Sequence, residues 1–142
     1  METKFNFKSQ ICTNKNLSEL LLALGLKKET ADCALLPLTD KVTSVLVKPS
    51  TKDIKNTIPA WSLGRLLEML PSLIPISEDL PTFHHYAYLD LSKVSAHYYW
   101  EDYNGAERAL ASFCGNGFFA AVVDATEWLI KGGNFPKEYL EE

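Results

Sequence analysis

The sequence predicts an α+β domain: an antiparallel sheet of about four strands with helices packed on one face, residues 1–142 forming a single domain. Three observations carry the prediction. Two segments, 16–25 and 58–71, repeat leucine at helical spacing between a capping residue and a helix-ending glycine or proline. Two aromatic runs, 83–91 and 94–101, alternate apolar and polar residues as half-buried strands do. A third helical stripe near the C-terminus ends on Gly132-Gly133. Helices and hairpins of this kind bury their apolar faces against one another in layers.

Taken in order, Asn16 is expected to cap a helix over 17–24, with Glu19 completing a capping box, Leu17, Leu20, Leu21 and Leu24 on one face and Gly25 as the left-handed stop. Residues 28–32 read as a helical turn. Residues 33–38 and 42–47 are apolar and β-branched around Thr39-Asp40-Lys41, which predicts a hairpin; 49–57 is polar and lysine-rich and reads as a loop. Ser62 then caps a helix in which Leu63, Leu66, Leu67 and Leu70 recur until Pro71. Trp61 staples onto Leu66, and Gly64 leaves room for a neighbouring element. Pro71, Pro75 and Pro81 punctuate an irregular connection.

The two aromatic runs are expected to pair as an antiparallel hairpin. Alternation puts Phe83, His85, Ala87, Leu89 and Leu91 of the first run on one face and His84, Tyr86, Tyr88 and Asp90 on the other. It splits the second run into Val94, Ala96, Tyr98 and Trp100 against Ser95, His97, Tyr99 and Glu101; one face is apolar and the other tyrosine-rich and half-wet. Residues 104–111 read as helix or loop. Asn116 is expected to cap a helix over 117–131, with Phe118, Ala121, Val122, Ala125 and Leu129 as its buried stripe and Trp128 at the edge.

Composition narrows the function classes. A chain of 142 residues, 46% apolar and 23% charged, is an ordinary globular domain. Its apolar runs are far shorter than the roughly 20 residues of a membrane span, and no secretory leader is read at its start, so a cytoplasmic protein with no membrane association is expected. Cys12, Cys33 and Cys114 have no metal-ligand spacing, which predicts reduced, buried or half-buried thiols and no metal. Residues 1–56 carry nine lysines against six acids, net +3, and residues 57–142 five bases against twelve acids, net −7. The acidic half repels phosphate, and Arg65 and Arg108 are the sole arginines, so nucleic acid is not an expected partner.

No cofactor fingerprint, nucleophile elbow or phosphate loop occurs, and no cofactor is expected. The aromatic hairpin is the candidate site. Tyr86, Tyr88, Tyr99 and His97, with Tyr98, Trp100 and Tyr103 near them, suit a protein interface, because aromatics with a polar tip concentrate at such surfaces. The expected partner is a protein or a second copy. The alternative is a small hydrolase or nuclease in which His97 works with a neighbouring carboxylate among Asp90, Glu101 and Asp102.

The segments NLSELLLALGLKKETAD, PAWSL-x-x-LLE-x-LP (59–71), the paired aromatic strands and the Ala120-Ala121-x6-Trp128-Leu129 ending together resemble a family of small uncharacterised proteins of bacterial genomes, phages and integrated mobile elements. The resemblance implies an accessory role in such an element and assigns a function to no residue.

Overall fold

The first helix, α1 (Lys15–Ala23), starts two residues earlier than its leucine spacing suggests. Asn14, not Asn16, is the cap: its backbone is extended, and its Oδ1 accepts the Leu17 N–H at 2.9 Å. The reason is tertiary. Thr13 is pinned to Trp61, its N–H donating to the Trp61 carbonyl at 2.9 Å and its Oγ1 accepting the Trp61 N–H at 3.1 Å, and the buried Ser18 hydroxyl lies 2.7 Å from that same Oγ1. The helix stops where expected, at Gly25 (φ +100°), where the Leu26 N–H closes back on the Leu21 carbonyl. This computed structural model describes residues 10–37, 43–47 and 57–142, and the backbone alone at Pro37 and 43–47.

A 3₁₀ turn (Lys28–Thr30) leads into β1 (Cys33–Pro37), which pairs antiparallel with β2 (Thr43–Val47) as expected, Cys33 facing Val47. The Thr39-Asp40-Lys41 turn and the 49–56 loop lie outside the described residues. A third strand, β3 (Ile58–Ala60), adds to the other side of β1, and its chain runs straight into α2 (Leu63–Met69). Ser62 caps α2, its Oγ accepting the Arg65 N–H at 3.1 Å. Trp61 and Leu66 are both fully buried in one core, as the staple requires. Gly64 serves no close approach, since no heavy atom lies within 4 Å of where its Cβ would be.

After Pro71 the chain forms β4 (Leu73–Pro75), then β5 (Tyr86–Leu91), β6 (Ser95–Glu101) and β7 (Glu107–Cys114), hydrogen-bonded in that order as an antiparallel sheet. The strands read from sequence therefore divide between two sheets, and each hairpin recruits neighbours that local pattern does not reveal. β4 has three residues, too few to display a period, and its one proline, Pro75, suits a sheet edge. β7 lies where a helix or loop was expected. Its alternation is broken because Tyr99 pairs with Ala109 and Tyr98 with Ala111, leaving Leu110 as the extra residue of a bulge.

Helix α3 (Phe118–Lys131) packs on β6 and β7 and buries Ala121, Val122, Ala125 and Leu129 of the expected stripe, with Val123 and Thr126; Phe118, in the first turn, is only half-buried. Asn116 does not cap it. Gly117, at φ +104°, holds the cap position without a side-chain bond. The core unites Leu21, Leu26, Trp61, Leu66, Met69, Ile74, Tyr98, Val122 and Leu129 from both halves of the chain. Among the described residues no helix is long and apolar enough to cross a membrane.

Candidate functional site

With α3 on one face of the four-stranded sheet, the residues that alternate outward from β5, β6 and β7 make up the other. Three rows cross it. Leu73, Tyr88, Tyr99 and Ala109 stand in register in the middle row; Asp90, His97 and Ser112 form the second. In the third, Pro75 faces Tyr86, Glu101 faces Glu107, and continuing the β5–β6 register brings Glu101 level with Tyr86. Tyr86, Tyr88, Tyr99 and His97 thus share the face that alternation assigned to them. Tyr98 and Trp100 do not. Tyr98 is fully buried, its hydroxyl donating to the Pro71 carbonyl at 2.8 Å and its ring 5.8 Å from Trp128, and burial drives its phenol well above the usual range. Trp100 is half-buried against the same core.

The outer rings form a stripe: Tyr88 to Tyr99 at 6.2 Å between centroids, then Tyr99 stacked on His97 at 5.1 Å. Phe83 and Tyr103, 74% and 55% exposed, meet edge to face beside it, and Tyr86 is itself 55% exposed. The Tyr88 hydroxyl donates to Glu107 Oε1 at 2.5 Å, and that bond, with smaller contributions from burial and nearby carboxylates, pushes the phenol up to about 12. Tyr88 is therefore a neutral ring held in a fixed pose. A groove of about 260 Å³ opens at this end, lined by Leu73, His84, Tyr86, Tyr88 and Glu101. Sequence reasoning missed Leu73 and Glu107 because β4 and β7 were not read as strands.

His97 is held by hydroxyls. Ser112 Oγ lies 2.9 Å from Nδ1 and Ser95 Oγ 2.8 Å from Nε2, and Ser95 in turn bonds Ser92. Among the described residues neither ring nitrogen bonds a carboxylate, although Asp90 is its cross-strand neighbour. Asp102 is committed elsewhere: its Oδ1 accepts the N–H groups of Asn104 and Ala106, and Oδ2 accepts Arg108 Nε at 3.0 Å. These bonds, Ala106 foremost, hold its carboxyl below the usual range. His85 is exposed before β5, and His84 lines the groove.

A second, more polar cavity of about 430 Å³ lies between the 3₁₀ turn and α2, lined by residues that include Asp32, Ser62 and Arg65. Its Asp32, Ser62 and Arg65 side chains are engaged within its own walls. Asp32 accepts both the Ser62 N–H and its hydroxyl, while Arg65 donates from Nε to the Thr30 carbonyl and pairs with Glu68 at 3.0 Å. This is a helix cap. Cys12 and Cys33 are buried side by side, with burial raising both thiols, Cys33 to about 12, whereas Cys114 is exposed. Among the described residues no three His, Cys, Asp or Glu side chains converge as metal ligands.

No protein-family model matches the chain, and no curated protein or solved structure is significantly similar to it. Function therefore rests on the geometry of this chain.

Proposed function

We propose that this protein is a non-catalytic binding module that recognises another protein through the outer face of its four-stranded sheet. The resemblance of its 59–71 segment extends the proposal to an accessory role in a phage or mobile element, exercised in the cytoplasm. The observation that carries it is the aromatic character of the sheet face opposite α3. An antiparallel sheet with one solvated face ordinarily alternates apolar-in and polar-out, yet here Tyr86, Tyr88, Tyr99 and His97 point outward, with Leu73, Phe83 and Tyr103 exposed around them. Aromatics are enriched at interface cores and dominate their energetics, because a large rigid ring buries much area at little entropic cost.

A test compares capture from cell extract by the wild-type protein and by Tyr86→Ser and Tyr99→Ser variants. Retention of a discrete protein by the wild type, lost in both variants while their circular dichroism is unchanged, is the expected outcome. Equal capture by all three moves the interface off this face.

One observation favours a hydrolase as the second reading: Ser112 Oγ sits 2.9 Å from His97 Nδ1, the contact by which an imidazole activates a hydroxyl. Esterase, phosphatase and nuclease substrates, with and without divalent metal, decide it. Turnover that disappears in His97→Gln would place that reading first.

A further inference from the structure

The groove at the Tyr86 end of the sheet is small. At about 260 Å³ it falls below the roughly 300–1,000 Å³ that encloses a drug-sized molecule, which suits a single side chain. Its walls are of two kinds. Tyr86 and Tyr88 stand two residues apart on β5, about 7 Å along the strand, and Leu73 faces Tyr88 from β4, so one side is apolar and aromatic. Glu101, level with Tyr86, supplies a carboxylate on the other, polar side, and His84 completes the lining.

Charge decides which guest fits. Between Tyr86 and Cys114 the chain carries Asp90, Glu101, Asp102 and Glu107 against Lys93 and Arg108. Arg108 is bound to Asp102, and Lys93 lies in the β5–β6 turn at the far end of the hairpin, so neither neutralises the groove. An anion would meet Glu101 and Glu107. A neutral apolar group would desolvate Glu101 without compensation. A cation meets the negative faces of the rings and a carboxylate together, and the Tyr88 ring is already fixed by its bond to Glu107.

We infer that this groove takes a lysine or arginine side chain of the partner protein, its cationic head against Tyr86 and Tyr88 and paired with Glu101. The inference rests on the sheet face being a protein-binding surface and names what that surface reads.

The test is a titration of the intact protein, followed by amide NMR at constant ionic strength, with a capped glycyl-lysyl-glycine peptide and with its norleucine counterpart, which keeps the four-carbon stem and lacks the ammonium. The lysine peptide is expected to give saturable shifts at Leu73, Tyr86, Tyr88 and Glu101, with the norleucine peptide about tenfold weaker. Tyr86→Leu and Glu101→Gln, both at exposed positions, should each weaken the lysine peptide several-fold while the remaining spectrum is unchanged. Equal binding of the two peptides overturns the cationic guest and leaves the face standing as an apolar docking surface. Shifts scattered over unrelated carboxylates such as Asp79 and Glu127, or no saturable shift, also overturn it; the capture experiment with Tyr99→Ser then judges the face separately.

Discussion

Replacing Ser62 with alanine should cost the protein more than a helix cap is ordinarily worth. Loss of the cap, in which Oγ accepts the Arg65 N–H, accounts for about 1 kcal/mol. The same hydroxyl donates to Asp32 Oδ2, and a hydrogen bond to a charged group contributes about 1.5–3 kcal/mol. Asp32 is half-buried and keeps its bond from the Ser62 N–H at 2.8 Å, so the lower end of that range applies. The total is about 2–3 kcal/mol. For a chain of this length that corresponds to a fall in Tm of roughly 6–12 °C. Urea denaturation read by tryptophan fluorescence should show a lower midpoint at unchanged slope. Asp32→Ala and the double variant complete a thermodynamic cycle, in which a coupling of about 1–2 kcal/mol is expected because the two side chains are in direct contact. A Ser62→Ala loss below about 0.5 kcal/mol, or a coupling of zero, would refute the reasoning and reduce the Asp32–Ser62 contact to a solvated pair.

Leu66→Ala, at a fully buried position in the same core as Trp61, should cost about 2–5 kcal/mol by the same denaturation assay. Asp102→Asn should destabilise at neutral pH through the β6–β7 loop. Because the folded carboxyl is held below its unfolded value of about 4, its contribution is complete above that pH and is lost as pH falls through the lower folded value. The difference in urea midpoint between wild type and variant should therefore hold from pH 7 to 5 and shrink toward pH 3. A thiol reagent should modify Cys114 quickly in the native protein and reach Cys12 and Cys33 only in denaturant, since those two are buried and raised above the range where thiolate forms. Sedimentation at several concentrations tests self-association through the aromatic face; Tyr86→Ser should abolish any dimer that forms there.

What was legible in the sequence by itself was local. Ser62 and Pro71 bound α2 because a cap and a missing N–H act within one helical turn. Gly25 and Gly133 end their helices because their positive φ is costly for a side chain and free for glycine. Alternation within each of the two runs, 83–91 and 94–101, and their pairing as a hairpin placed Tyr86, Tyr88, His97 and Tyr99 on one face, since neighbouring side chains in a strand must point opposite ways. Tertiary structure decided the rest. β3 and β4 are three residues each and exist because β1 and β5 offer them unpaired backbone. β7 is hidden by a bulge whose extra residue, Leu110, slips the period. The shift of the α1 cap from Asn16 to Asn14 follows from the hydrogen bonds that hold Thr13 to Trp61, with buried Ser18 bonded to the same Thr13 hydroxyl. The groove needed the β4–β5–β6 order, because Leu73, Tyr86, Tyr88 and Glu101 come from three strands whose order is set by long-range pairing, and no spacing along the chain records which strands will be neighbours.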